Sequence, residues 1–522
     1  MRWKTVVGVG VVVLATACQS HAPAGLGART DTGTEPESHG GSGSTRTDEA
    51  SEEAGATARR DKGSDDWRMT RVATDGQIEG YTTRVSGPPG TLLEVKVSTT
   101  EPAYRMSAYR LGDYDGGSGH LVHRSALLQG ERQAEPVFQP VETRTVVAPW
   151  HVSLTAETDG WEPGFYVLRL RASTGWESQI PYIVSSPSAA GTVAVVVPVT
   201  TWQAYNLWGG YSLYAGPSGD RRSWAVSFDR PYHGVGGLND FHTSVIPIVL
   251  RAERTGELLS YFANVDLHDD HDLLAGARGY VSTGHDEYWT PSMRTTVETA
   301  RDAGTNLAFL GANTAYWRIR LDERETGPRR LMTGYRHDAA QDPLRDERPA
   351  EATSLFRAAP AAEPENALTG MLYECYPVDA DYVVVSPKWW GFAGTGVRAG
   401  TAIPGLVGGE SDRVYPDGFA PRPLQLLSHT SFSCRGVTTT SQSVYYTAPS
   451  GAGVFTAGTL RWGCALVDLC DRRLGPRTRD FARQVTDNLI HGFAAGPVGR
   501  RHPAHDNVAE FDLPLVNTVE AS

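Results

Sequence analysis

The 522-residue sequence has little of what several common protein classes require. Only five cysteines occur, and no CxxC motif or Cys/His spacing typical of a zinc site accompanies them. Basic residues number 48 against 60 acidic ones, so the net charge of −12 argues against non-specific nucleic-acid binding. The sequence also lacks GxSxG, P-loop and HExxH motifs, which removes the main support for a serine hydrolase, an NTPase or a zincin.

The N-terminal apolar run, from Thr5 to Ala15, is too short to span a bilayer. It follows two basic residues and precedes small residues and Cys18, which is the layout of a secretory signal. The ending LATAC resembles a bacterial lipobox. We therefore predict a lipoprotein-type signal over residues 1–18 and a chain anchored through lipidated Cys18 to the outer face of the cytoplasmic membrane. The alternative is plain secretion.

After the signal, residues 19–66 contain almost nothing to bury and are predicted to be a disordered tether. Such a tether would hold a folded body away from the membrane. We expect no other contact with a membrane.

Four further cysteines lie in the predicted exported body: Cys375, Cys434, Cys464 and Cys470. Export makes disulfide bonds possible, and four cysteines permit three complete pairings, among which the sequence does not choose. We expect these bridges to be structural rather than catalytic.

The first folded part, predicted over residues 67–188, consists of short alternating runs. Segments such as TLLEVKVSTT and GFYVLRLRAS alternate apolar and polar residues over strand-like lengths, with glycine- and proline-rich turns between them. No helical period interrupts these runs. The pattern predicts an antiparallel β-sandwich.

The pattern changes at Gly191, and residues 189–495 are predicted to form an α/β domain with a largely parallel sheet. TVAVVVPV is a continuous apolar run, as expected for a strand that is covered on both faces. A helix is predicted over residues 290–303, because Thr290 can cap it and Pro291 occupies its first position. A strand on each side of this helix completes a βαβ unit.

Two segments of this part are predicted to be irregular. The long polar stretch from Asp322 to Gly370 is interpreted as an insertion or lid-like loop. Residues 496–522 are interpreted as a C-terminal tail.

Polar side chains follow three of the predicted parallel strands. His285 and Glu287 come after GYVSTG, Asn313 comes after NLAFLGA, and Tyr205 and Asn206 come after TVAVVVPVT. Because the carboxyl ends of parallel strands meet at one rim, we expect all five side chains to lie there. The histidine and the glutamate are two residues apart, so they point the same way if the chain is extended.

These residue types suit catalysis or metal binding. A glutamate can bind a hard metal, a histidine can move a proton near neutral pH, and an amide can position an oxygen. Glu410 follows a glycine pair, where a carboxylate could enter a site. Arg318 and Arg320 share one predicted strand face and suit either an anion or a carboxylate partner. For each of these residues, the alternative is an ordinary turn, cap or solvated side chain.

Several motifs in one order resemble the large subunit of N,N-dimethylformamidase and its bacterial relatives. They run from about Thr192 to Phe493 and include TTWQAYNLWGGYSLY, GHDEYW, RDAGTNLAFLGANTAYWRIRL and GLVGGESDR. The resemblance implies a β-sandwich-like part beside an α/β domain similar to glutamine amidotransferases, in agreement with the division above. It also implies hydrolysis of an amide-type C–N bond.

The resemblance further implies a mononuclear non-haem iron held by two tyrosines and one glutamate. Matched by motif, Glu287 of GHDEYW is the glutamate, Tyr205 of QAYN is one tyrosine, and Tyr166 of PGFYVLRL is the other. The iron would then hold the two predicted domains together. Three further residues match positions that assist catalysis: His285, Asn313 and Glu410.

Three hypotheses follow from the sequence. The first is an exported, iron-dependent hydrolase of a small amide-type substrate, which need not be dimethylformamide because the amidase it resembles is intracellular. The second is an envelope lipoprotein that binds a ligand or polymer without turnover. The third keeps the enzyme but places zinc on His285 and Glu287 of the same scaffold. The oligomeric state is left open, with a homo-oligomer among the options.

Overall fold

The computed structural model describes residues 61–217, 222–233, 241–468, 470–471 and 474–514. The alternating runs of the first part fold into short strands. In chain order these are β1 (Ile78–Thr82), β2 (Ser86–Gly87), β3 (Leu92–Thr99), β4 (Ala103–Tyr114), β5 (Gly117–Arg124), β6 (Leu128–Gln129), β7 (Val137–Phe138), β8 (Val146–Val147), β9 (Leu154–Glu157), β10 (Gly164–Ala172) and β11 (Glu177–Val184).

Two mostly antiparallel sheets share the apolar residues of this part. Strands β1, β3 and β9 form one sheet, and β2, β11, β10, β4 and β5 form the other in that order, with β6 beside β4. Side chains alternate along β10, so Tyr166 and Leu168 face the apolar cluster shared by the two sheets. Phe165 and Val167 face the opposite way and join the larger core that continues into the rest of the chain.

The second part contains the remaining strands. They are β12 (Val193–Val197), β13 (Ala225–Ser227), β14 (Leu259–Ala263), β15 (Gly279–Ser282), β16 (Tyr288–Trp289), β17 (Asn306–Phe309), β18 (Trp317–Arg318), β19 (Arg320–Arg324), β20 (Gly327–Thr333), β21 (Leu372–Val383), β22 (Ala402–Arg413), β23 (Leu424–Cys434), β24 (Val437–Thr447) and β25 (Gly453–Thr456).

Helices are fewer than strands among the described residues. The α-helices are α1 (Val199–Tyr205), α2 (Ile246–Arg254), α3 (Asp266–Asp269), α4 (Pro291–Asp302), α5 (Asn366–Thr369), α6 (Arg461–Cys464) and α7 (Pro476–Ala494). A π-helical turn spans Phe241–Val245. Short 3-10 turns span Trp208–Gly210, Arg336–Gln341, Pro349–Glu351, Trp390–Phe392, Val498–Arg500 and Val508–Glu510.

A seven-stranded sheet organises the second part. Its order is β14-β12-β15-β17-β25-β24-β23. All neighbours from β14 to β25 are parallel, whereas β24 pairs antiparallel with both β25 and β23. The valine run of β12 is buried along its whole length, as a strand covered on both faces requires. The largely parallel sheet and the mixed α/β character agree with the sequence.

The predicted helix after GHDEYWT is confirmed. Helix α4 begins at Pro291, and the Thr290 hydroxyl oxygen accepts a hydrogen bond from the Met293 backbone N–H at 3.1 Å. Proline at the first helical position loses no hydrogen bond, because its missing N–H would have no partner in the helix.

The lid-like interpretation of the polar stretch from Asp322 is wrong for its first part. Strands β19 and β20 pair there as an antiparallel hairpin, which joins β13 in a three-stranded sheet. The sequence did not indicate this strand pair, because one face of a hairpin is exposed to water and can carry many charged side chains.

The predicted C-terminal tail, residues 496–522, packs against the folded body where that segment is described. Val498 and Val508 are buried, and the Pro514 carbonyl accepts a hydrogen bond of 2.8 Å from Nη1 of Arg413. The end of the predicted tether is likewise paired, since Lys62 and Ser64 form β-bridges with Asp115 and Gly119. The predicted signal over residues 1–18 and Cys18 lie outside the described residues.

The disulfides pair Cys375 with Cys434 and Cys464 with Cys470. All described residues belong to one compact unit, and its main apolar core takes side chains from both β10 and β12. The division at residues 188 and 189 into two domains therefore stays a prediction. None of the described helices is sufficiently long and apolar to cross a membrane.

Candidate active site

Two glycines let the loops after β15 and β17 come close together. Gly284 has a φ of 79°, a left-handed conformation that glycine adopts without strain. A Cβ atom at Gly311 would lie 2.0 Å from the Gly284 carbonyl oxygen, so only glycine fits there. Because β12, β15 and β17 are neighbours and parallel, their carboxyl ends bring the following residues to one rim, as predicted.

The Glu287 carboxylate is the centre of the cluster at this rim. Its Oε2 accepts a hydrogen bond of 2.8 Å from the Tyr205 hydroxyl. The Tyr214 hydroxyl lies 2.8 Å from Oε1 and 2.9 Å from Oε2. The two tyrosine rings stack with their centroids 4.1 Å apart, so both phenol oxygens point at the same carboxylate.

Neighbouring groups fix the backbone of this cluster. The hydroxyl oxygen of Thr201 on α1 accepts a hydrogen bond of 3.0 Å from the Glu287 N–H, and the Thr200 hydroxyl donates to the Tyr288 carbonyl at 2.8 Å. The Tyr288 hydroxyl donates to that of Tyr214 at 2.7 Å. Helix α1 thus holds the loop after β15 and also supplies Tyr205 as its last residue.

His285 stands between two carboxylates. Its Nε2 lies 3.3 Å from Oε2 of Glu287 and 3.4 Å from Oε2 of Glu410. The first distance agrees with the expectation that residues two apart point the same way. Glu410 reaches the rim from β22, where the Leu460 N–H donates to its backbone carbonyl just after β25.

Asn313 completes this side of the rim. Its φ is 59°, a left-handed conformation that asparagine tolerates better than most residues, and its N–H donates to the Asp412 carboxylate at 2.8 Å. The side-chain Oδ1 is buried and accepts no hydrogen bond from any described residue. A buried acceptor of this kind is available to a ligand.

The pKa values of the Glu287 and Glu410 carboxyl groups are shifted in opposite directions. Burial would raise the pKa of Glu287, but hydrogen bonding and charge from His285, with the Arg336 guanidinium, hold it below its usual value. Burial raises the pKa of Glu410 despite the opposing effect of His285, and the charge of Glu287 adds to the rise. Paired carboxyls whose pKa values are pushed apart are common at sites of proton transfer.

Both phenols are strongly perturbed. Burial, and then the negative charge of Glu287, raise the pKa values of Tyr205 and Tyr214 well above 10. A cation beside their oxygens would reverse this effect, because it stabilises the phenolates. Within the described residues, no group of three or more His, Cys, Asp and Glu side chains could hold a metal ion.

The structure does not bring Tyr166 to this cluster. Its hydroxyl donates to the Glu162 carbonyl at 2.6 Å, and its ring stacks on Trp161 with centroids 5.1 Å apart. The reason is the alternation along β10, which turns Tyr166 into the cluster between the two antiparallel sheets. The position predicted for Tyr166 beside Tyr205 and Glu287 is taken by Tyr214.

Sequence reasoning missed two residues of the cluster. Tyr214 lies within the motif TTWQAYNLWGGYSLY, but in a loop whose position no periodicity fixes. Arg336 comes from the stretch interpreted as a lid, and its guanidinium carbon lies 3.7 Å from the centroid of the Tyr214 ring. In such a contact the positive guanidinium is attracted to the negative face of the aromatic ring.

Two other residues near the rim have structural roles. Asn206 is buried and donates to the Pro231 carbonyl at 2.8 Å. Asp286, which points away from its neighbours in the motif, accepts a hydrogen bond of 2.8 Å from the Ser282 hydroxyl. These contacts support the loops rather than the cluster.

Asp412 makes stability depend on pH. Burial raises its pKa to about 7, against the hydrogen bond from Asn313, while an aspartate in an unfolded chain has a pKa of about 3.9. Between these values the folded protein binds more protons than the unfolded chain, so stability falls as pH rises from 4 to 7.

We expect Asp412→Asn to remove this loss, because an amide oxygen keeps the hydrogen bond without the charge. The free energy of unfolding of the variant minus that of the parent should be larger at pH 8 than at pH 4, by about 2–4 kcal/mol. Urea denaturation at both pH values measures the difference. A difference that is the same at both pH values, or that is smaller at pH 8, would contradict the raised pKa of Asp412.

The fold and the site define a class: a mixed α/β protein, with many sheets and few helices, that buries a tyrosine–carboxylate cluster at the carboxyl edge of a largely parallel sheet. Comparison with protein families identifies it further. The family described as N,N-dimethylformamidase beta subunit-like, C-terminal, matches residues 105–473, and the chain belongs to this family. The match begins in β4 and includes every residue of the cluster.

Two solved structures show only weak similarity. A crystal structure of an uncharacterized protein from Bacillus anthracis str. Ames is 10% identical, covering 22% of this chain and 84% of its own, with a TM-score of 0.13. A cycloisomaltooligosaccharide glucanotransferase from Paenibacillus sp. is 12% identical, covering 35% of this chain and 27% of its own, with a TM-score of 0.15. A comparison with curated proteins found no match.

Proposed function

We propose that this chain is a metal-dependent hydrolase of an amide-type C–N bond. Its family supports an amide hydrolase as the general activity. The observation that carries the proposal is the convergence of the Tyr205 and Tyr214 hydroxyls on the Glu287 carboxylate. Two phenols and a carboxylate that share one buried point suit a hard cation better than they suit a substrate.

The oxygens present fit a ferric ion. Tyr205, Tyr214 and Glu287 would hold it, and the three negative charges of two phenolates and one carboxylate would balance a trivalent cation. Ionised tyrosines require such a charge, since burial and Glu287 otherwise oppose them. A ferric ion bound there supplies Lewis acidity, which favours attack of water on an amide carbonyl.

The neighbouring side chains supply the rest of the reaction. Glu410 has a raised pKa and lies 3.4 Å from His285 Nε2, so this pair can take a proton from attacking water and return it to the leaving amine. The buried Oδ1 of Asn313 accepts no hydrogen bond within the described residues and would orient the attacking water. His285 and Glu287 are buried and the two tyrosines are partly buried, so water screens these interactions less than it would at the surface.

The finer architecture and the location belong to the same proposal. We interpret the two sheets that share the Tyr166 cluster as a β-sandwich, and the seven-stranded sheet as the core of a glutamine-amidotransferase-like domain. The predicted N-terminal signal with Cys18 supports export and lipid anchoring at the cell envelope. The substrate would then be a small linear amide that reaches the outside of the cytoplasmic membrane.

A hydrolysis assay tests the activity. The purified full chain, loaded with iron, is incubated with a series of small linear amides that includes N,N-dimethylformamide, and release of the amine is measured. We expect turnover of at least one amide that is abolished by removal of iron. Iron-loaded, folded protein that releases no amine from any member of the series would favour a binding protein, and activity with zinc alone would favour the zinc alternative.

A further inference from the structure

A small cavity lies beside the cluster, on the far side of Arg336. Its volume is about 140 Å³, and its wall includes Trp317, Arg336, His337, Arg345 and Ser354 together with several small apolar residues. None of the described residues that line it is acidic. The lining therefore combines basic and apolar side chains.

The acidic residues near this cavity already have cationic partners. Asp342 pairs with Arg320 at 2.7 Å, and Asp338 pairs with Arg222 at 2.7 Å. Glu351 pairs with an arginine outside the lining at 3.0 Å. Within the part of the chain that the structure describes, no carboxylate forms an ion pair with Arg336 or Arg345.

Of the two arginines, Arg336 is the more informative, because it is only 8% exposed. Its guanidinium lies between the rings of Tyr214 and Trp317, at 3.7 and 4.8 Å from their centroids. Nη1 donates to the Leu213 carbonyl at 2.5 Å, and Nε is buried and makes no hydrogen bond with the described residues. Its charge acts on the nearby Glu287 carboxylate, but the two form no ion pair, and an anion in the adjoining cavity would give the guanidinium a direct partner.

The backbone at Arg336 supports a functional reason for this arrangement. Its φ is 59°, a conformation that side-chain-bearing residues other than Asn and Asp rarely adopt. Strain of this kind persists where the surrounding structure enforces it, and it concentrates at binding sites. The geometry fixes the guanidinium between the cavity and the Tyr214 ring.

We propose that this cavity binds the carboxylate of a small organic acid. Arg345 and Arg336 would pair with the carboxylate, since guanidinium groups match its planar shape. Trp317 and Leu355 would contact the short carbon chain.

Calorimetric titration of the full chain with butyrate tests the cavity itself. We expect butyrate to bind, and the isosteric but neutral 1-nitropropane to bind at least about tenfold more weakly, because only the former carries a charge. Arg345→Gln should weaken butyrate binding about fivefold to tenfold. Arg345 is exposed, so this change leaves the fold intact.

Arg348→Gln is the matched control, because Arg348 is an exposed arginine three residues away that does not line the cavity and pairs with Glu351. It should bind butyrate like the parent. Equal affinities of the Arg345 and Arg348 variants, or equal binding of butyrate and 1-nitropropane, would overturn the proposal.

Discussion

Replacing Tyr214 with phenylalanine is expected to remove both the visible colour and most of the iron from the purified protein. A ferric ion bound by tyrosinate absorbs visible light through charge transfer from the phenolate. Loss of one phenolate removes a direct ligand, so the affinity should fall by more than the roughly 10–100-fold that loss of a ligand's outer partner costs. Absorption spectra and metal analysis of the parent and the variant measure the effect.

Tyr166→Phe is the matched control for this experiment. Both changes delete one buried phenol oxygen, but the Tyr166 hydroxyl donates to the Glu162 carbonyl rather than to Glu287. Iron content and colour should therefore survive in the Tyr166 variant. The opposite outcome, with iron lost from Tyr166→Phe and kept in Tyr214→Phe, would restore the ligand set implied by resemblance and contradict the structural assignment.

Glu410→Gln is expected to lower kcat by about 10²–10⁴-fold while the protein keeps its iron, because general acid–base catalysis contributes rate factors of this size. Glu410 lies beside His285 and not among the oxygens that meet at Glu287. The glutamine is nearly isosteric and neutral, so it preserves packing but cannot accept a proton from water. Steady-state kinetics with any amide that the parent hydrolyses gives the comparison.

The control for this prediction is Glu298→Gln, which removes a partly buried carboxylate on α4 that pairs with Arg294 at 2.8 Å. It should keep its activity within about twofold of the parent. A Glu410 variant that remains folded, retains iron and hydrolyses amides at the parental rate would exclude Glu410 from proton transfer.

Much of the rim could be predicted because a parallel sheet converts sequence order into spatial order. His285, Glu287 and Asn313 each follow a strand of the same sheet, so one rule about strand ends placed them together. The helix after GHDEYWT could be predicted equally well, because Thr290 and Pro291 are local signals that act within one turn. Features that depend on short-range geometry were therefore predicted well.

The second tyrosine could not be placed from the sequence. Tyr166 belongs to a strand in which every second side chain faces a different apolar cluster, and the sequence does not say which face meets the α/β part. Tyr214 and Arg336 lie in irregular segments, whose positions depend on tertiary contacts such as the stacking of the Tyr205 ring. Loops of this kind carry function but no periodic signal.

The raised pKa of Glu410 and the lowered pKa of Glu287 arise from the same tertiary arrangement. Neither residue's sequence neighbours explain the difference, because His285 lies within reach of both carboxylates only after β15 and β22 have come together. Sequence reasoning could supply candidates for proton transfer. Without the family resemblance, it could not tell which of Glu287 and Glu410 is the metal ligand and which is the base.

The metal content of the purified full chain tests the central claim most directly. We predict one iron per chain, with a visible charge-transfer band that persists in Tyr166→Phe and disappears in Tyr214→Phe. Folded, monodisperse protein that binds no metal after reconstitution with iron, or that takes zinc stoichiometrically in its place, would contradict an iron site formed by Tyr205, Tyr214 and Glu287.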